Sequence, residues 1–220
     1  MAHVLPRPQT RGEEIANSIS HGAGFLIGLV GLIIVAIHGT ANSTMANVVG
    51  LIVYAVTMSV LYMTSAIYHA LGDGRAKQVF MKLDYCAIYL FIAGTYTPFT
   101  LGVLRGEWGW ALLIAVWILA LIGVVMRGFD VLSHPYITTT LYLVMGWLVL
   151  FAIRPLLEYV PAAGIAWLIA GGVAYTIGVV FYLLDSRFKF AHLVWHLFVL
   201  AGSVCHFVAV AGYATVERLS

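Results

Sequence analysis

The chain has 220 residues, 62% of them apolar and only 9% charged, with a mean hydropathy of +0.99. A soluble domain carries about 25% charged residues, so this composition excludes a water-soluble globular protein and points to an integral membrane protein. The net charge of +2 offers no basis for binding nucleic acid.

A helical span needs about 20 predominantly apolar residues, and seven such segments follow one another, near 18–38, 47–70, 83–104, 109–126, 136–153, 163–184 and 191–213. Transmembrane β-strands are excluded, because these runs are too long and too continuous for strands of ~10 alternating residues. The expected fold is all-α, a polytopic seven-transmembrane-helix bundle. No soluble stretch is long enough for a second domain, so 1–220 forms a single domain with 1–17 as a short cytoplasmic segment. The leader before the first span is polar and lacks a signal-peptide core, so that span is expected to act as an uncleaved insertion signal. Loops carry breaker residues: Asn42-Ser43, Gly72-Asp73-Gly74, Arg105-Gly106, His134-Pro135, Pro155 and Pro161. Pro98 inside the third span is expected to kink it. Glycines recur in the first span (Gly22, Gly24, Gly28, Gly31) and the sixth (Gly171, Gly172, Gly178), which favours close helix contacts. Cys86 and Cys205 fall inside apolar runs and read as small buried hydrophobes.

Orientation follows from the excess of Lys and Arg on cytoplasmic loops. With the N-terminus in the cytoplasm, the inner side holds Arg7, Arg11, Arg75, Lys77, Lys82, Arg127, Arg187 and Lys189. The outer side holds Arg105, Arg154 and Arg218. The C-terminus is then outside, the reverse of a G-protein-coupled receptor.

His192 and His196 lie four residues apart, on one helical face. Ionisable groups at membrane depth are costly and mark function by default. With the inferred topology, His69 at the end of the second span and Asp84 at the start of the third fall at the same cytoplasmic depth. Ser65 lies one turn deeper than His69. Three neutral imidazoles with an open fourth position make the ligand set of a catalytic zinc. Asp84 is then placed to act as general base and Ser65 to hydrogen-bond a carbonyl oxygen or oxyanion. Any one of these groups alone in a membrane helix ordinarily makes an interhelical hydrogen bond; five at matched depth make the case for a site.

These stretches, SAIYH, KLDYCAIYLFIAGTYTPF and HLVWHLFVLAGSVCHF, with EEIANSISHG near the start, closely resemble bacterial haemolysin III proteins. That group lies within the progestin and adipoQ receptor family, in a superfamily with alkaline ceramidases. The resemblance runs from Glu13 to about Gly212. It implies a seven-helix, N-inside bundle in the bacterial cytoplasmic (inner) membrane. It also implies zinc held by His69, His192 and His196, with Asp84 and Ser65 as acidic and serine partners.

Glu14, Asn17 and His21 share one face of the first helix and are candidates for a supporting shell or gate behind the metal; the alternative is a helix cap with an interfacial anchor. His206 is ~15 Å beyond His196 and is expected to bond another helix. His38 and His134 sit at span edges, where solvation is expected. Trp108, Trp110 and Trp195 are placed as interfacial anchors. Three functional classes follow. The first is a zinc-dependent intramembrane hydrolase of a lipid amide or ester, ceramide-like or fatty-acyl, acting in membrane-lipid homeostasis. The second is a non-enzymatic sensor or regulator with a structural zinc. The third is a haemolytic, pore-forming protein.

Overall fold

The computed structural model describes residues 7–38, 44–131 and 134–215. Asn42-Ser43, Arg218 and the side chain of His38 lie outside the described residues. The elements are α1 (Arg11–His38), α2 (Met45–Ala70), α3 (Arg75–Leu101), α4 (Glu107–Gly128), α5 (Pro135–Gly146), α6 (Ile153–Tyr159), α7 (Ala162–Leu184) and α8 (Ala191–Tyr213), with a 3₁₀ segment at Leu148–Ala152 between α5 and α6. Among the described residues, seven stretches are long and apolar enough to cross a membrane, the fifth being Tyr136–Tyr159. The chain is therefore a multi-pass membrane protein. Large apolar side chains such as Leu26, Ile114, Phe151, Ile169 and Val180 are exposed on the flanks, while Glu13, Asn17, His21, Ser65, His69 and His196 are buried. That inversion of a soluble protein is what a hydrocarbon solvent selects.

Two helices begin earlier than their apolar runs. α1 starts at Arg11 rather than near 18, and α3 at Arg75 rather than near 83. The added turns carry polar residues that are used at one end of the bundle, so hydropathy alone stops short of them. α2 opens on Thr44, whose hydroxyl accepts the Asn47 N–H, a regular N-cap. Pro98 falls in the last turn of α3, and the Gly102 N–H closes that turn on the Pro98 carbonyl.

The fifth span differs most from expectation: it is broken after Gly146 and resumes at Ile153, reaching Tyr159 rather than stopping near 153. Irregular backbone in a membrane must find partners inside the protein. The Tyr96 hydroxyl of α3 supplies them, accepting the Val149 N–H at 3.0 Å and sharing its proton between the carbonyls of Met145 (2.9 Å) and Gly146 (2.8 Å). Tyr96→Phe removes all three bonds at once. It is expected to lower stability by about 2 kcal/mol, read as an earlier thermal unfolding midpoint in detergent.

Neighbours in sequence are neighbours in space: α2 packs between α1 and α3, α3 against α4, and α7 against α8, while α1 also meets α8. The core is built on α2, with Tyr54, Met58, Leu61 and Tyr62, joined by Phe91 of α3, Leu156 of α6 and Val199 and Val210 of α8. Gly24 lets α1 sit close to both neighbours, since a Cβ there would lie 2.6 Å from Tyr62 Cδ1 and 2.8 Å from Leu200 Cδ2.

Candidate metal centre

Chain direction brings the start of α1, the end of α2, the start of α3, the end of α7 and the start of α8 to one end of the bundle. His69 comes from the last turn of α2, His192 and His196 from the first two turns of α8. One ligand nitrogen from each of the three lies within 4.8 Å of the other two. Their ring centroids are 4.8–5.1 Å apart, at steep mutual angles. Packing of flat rings for its own sake favours offset or edge contacts between pairs. Three imidazoles converging with their nitrogens inward is the arrangement that a cation organises.

The other nitrogen of each ring settles which one is free. His69 Nδ1 is 2.6 Å from the Glu14 carboxylate, which also accepts from Lys77 Nζ at 2.7 Å. His192 Nδ1 is 2.9 Å from the Asp185 carboxylate. His196 Nδ1 faces the Asn17 carbonyl at 3.3 Å and the Ser20 hydroxyl at 3.1 Å, and that hydroxyl spends its own proton on the same carbonyl. Carboxylates and carbonyls only accept, so each Nδ1 carries hydrogen and each Nε2 is left as a lone-pair donor. His69 Nε2 is buried and has no hydrogen-bond partner. Acceptors behind ligating histidines orient the rings and raise their basicity. The donor set therefore fits a borderline-soft divalent ion such as zinc.

Asp84 is not a member of the three-histidine group. It is half-buried on α3 and interacts with the Ser65 hydroxyl of α2. Ser65 Oγ in turn is 2.7 Å from His21 Nδ1, and the His21 ring stacks on His196 with centroids 3.5 Å apart and planes 10° from parallel. Glu14, Asn17 and His21 thus contact the imidazoles, while Ser65 and Asp84 connect to them through His21. Glu14 and Asn17 act on His69 and His196 directly, Asn17 through its backbone carbonyl rather than its side chain. The Asn17 amide donates instead to Gln9 at 2.6 Å.

Asp185, Ser20 and Lys77 were not singled out from sequence. Asp185 lies in the turn after α7, seven residues before His192, where an acidic residue ordinarily faces water; nothing in the spacing marks it. Asp185→Ala should weaken metal binding about 10-fold or more in a chain that still folds, as measured by competition with a chelating dye. His206 lies apart, its Nε2 donating to the Leu168 carbonyl at 3.2 Å. Between it and the site, the hydroxyls of Tyr62 (2.6 Å) and Tyr175 (2.9 Å) meet at Ser203. His134 is exposed, and the two cysteines are free and partly buried.

Seven apolar helices around a three-imidazole cluster at one end define a multi-pass membrane protein with a candidate metal centre. A family model described as haemolysin-III related matches residues 9–207, and the chain belongs to that family. It is 43% identical to Hemolysin-3 of Bacillus cereus over 201 residues, covering 91% of each chain. To the Hemolysin-3 homolog of Bacillus subtilis (strain 168) it is 40% identical, over 91% of this chain and 94% of the relative. A more distant similarity, 25% over 210 residues, links it to the human monocyte to macrophage differentiation factor, over 91% of this chain and 84% of that protein.

Proposed function

We propose that the protein is a zinc-dependent intramembrane hydrolase of a lipid amide or ester, acting in the membrane-lipid homeostasis of a bacterial inner membrane. The observation that carries this reading is the ligand count. Three histidines converge while Asp84, the general base expected from sequence, stands outside the group on Ser65. A structural zinc normally takes four protein ligands, and a catalytic one keeps a position open. That difference favours catalysis over a purely structural ion.

His69, His192 and His196 would hold the ion. A zinc held there would supply Lewis acidity and lower the pKa of water towards neutrality. Asp84 takes a proton from the attacking water and passes it to the departing nitrogen or oxygen, as general base and then general acid. Ser65 donates its single hydroxyl proton to the Asp84 carboxylate and holds it in place; once Asp84 has taken up a proton, that hydroxyl is released to turn to a developing oxyanion. The excess of Lys and Arg on the loops at this end supports a cytoplasmic position for it, where water is available.

The acyl part of a substrate would find room beside the site. An apolar cavity of about 110 Å³ between α1, α2 and α8 is lined by Gly24, Ile27, Met58, Tyr62, Leu200 and Phe207, among others. Tyr62 also meets the His21 ring edge-on, with centroids 5.0 Å apart, so the cavity borders the supporting shell of the site. The test is metal analysis of the purified protein followed by turnover of a panel of lipid amides and esters in mixed micelles. About one zinc per chain with release of fatty acid or amine is expected. A fully metallated protein inert on every member of the panel would favour the structural-zinc regulator instead.

A further inference from the structure

The residue just before α8 is held in an unusual way. Phe190 has φ 60° and ψ 6°, in the left-handed region, which a residue with a Cβ seldom occupies without support from its surroundings. The Phe190 carbonyl accepts the Val194 N–H at 3.0 Å, so the hydrogen-bonded ladder of α8 begins there. Its own side chain does not cap the helix.

The support comes from α1. The carboxylate of Glu13, only 2% exposed, accepts the Phe190 N–H at 2.8 Å. The same carboxylate is anchored by Arg7 through two bonds, at 2.6 and 2.9 Å, and by the backbone N–H and hydroxyl of Thr10 at 2.9 and 2.8 Å. A buried carboxylate with five donors is fixed in direction. An anion at the head of a helix is also favoured by the helix dipole.

We infer that Glu13 is a positioning residue for the metal centre: by gripping the Phe190 N–H it sets where α8 begins, and so where His192 and His196 stand. The inference rests on the three histidines being the metal site. Each residue of helix advances 1.5 Å and turns about 100°, so a small slip at the head of α8 carries both imidazoles away from His69. Glu13 touches neither histidine; it acts through the backbone between them and α1.

The probe is Co²⁺ in place of zinc, whose visible absorption reports coordination geometry and whose titration gives affinity. Glu13→Ala and Glu13→Asp are expected to bind Co²⁺ about 10-fold more weakly with an altered spectrum, because the shortened carboxylate no longer reaches Phe190. Arg7→Gln keeps Glu13 itself and is expected within about 3-fold of the parent, below the range that losing a ligand's supporting partner produces; Glu13→Gln keeps the reach but sets an amide NH2 against donors that need an acceptor, and is expected between the parent and Glu13→Ala. In the Glu13→Asp background, Phe190→Gly should restore affinity, since glycine takes the left-handed conformation unaided. If Glu13→Ala does not fold, the Asp and Gln variants still decide. Affinity that follows charge rather than reach, with Asp normal and Gln weak, overturns the inference, as do unchanged affinities throughout. Failure of the unaltered protein to bind Co²⁺ or zinc would instead remove the metal site.

Discussion

His196→Ala is expected to leave a folded seven-helix protein without bound metal and without hydrolytic turnover. The side chain is 1% exposed and lies at the centre of the cluster, touching His69, His192 and His21 by its ring and Asn17 and Ser20 by Nδ1. Removing it takes away one of three donors, and alanine offers nothing in exchange. Two imidazoles alone are below the three protein ligands of zinc sites that work as catalysts. Metal content by mass spectrometry should fall from about one ion per chain to background, and lipid turnover with it. His206→Ala serves as the comparison: it removes an imidazole from the same helix about 15 Å away, and should keep its metal. Full occupancy in His196→Ala would overturn the three-histidine site.

Asp84→Asn separates chemistry from metal binding. Asparagine is nearly isosteric and can still meet Ser65, but it cannot take up a proton at working pH. Since Asp84 stands outside the histidine group, metal content should be unchanged. Proton transfer by a placed side chain contributes about 10²–10⁴ in rate, so kcat should drop by that factor with little change in KM. Loss of metal together with activity would make Asp84 a ligand, and would favour the structural-zinc reading over catalysis.

Much of this architecture was readable in the chain before its fold. Seven apolar runs separated by charged or breaker-rich loops leave one arrangement in hydrocarbon, and Lys and Arg fall mostly on one set of loops. The depth argument that grouped His69 with His192 and His196 used only helix direction and rise per residue. What escaped was decided by contacts distant in sequence. The break at Gly146 depends on a tyrosine fifty residues earlier, and hydropathy across 136–153 is as even as in an unbroken span. The acceptors behind the histidines were partly visible, because Glu14 and Asn17 recur on a helical face. Asp185 was not, because a turn rather than a periodic element presents it. Glu13 was hidden for a related reason: a carboxylate beside the membrane surface reads as solvated until its five donors are seen.

The three candidate ligands are far apart in the chain's order of appearance. His69 is in place once the second helix is made, but its two companions are on α8, which is made well after it. A product interrupted before α8 therefore presents a single imidazole of the three, too few for the proposed ion. Under that proposal, metal loading would report that α8 has inserted and docked beside α2.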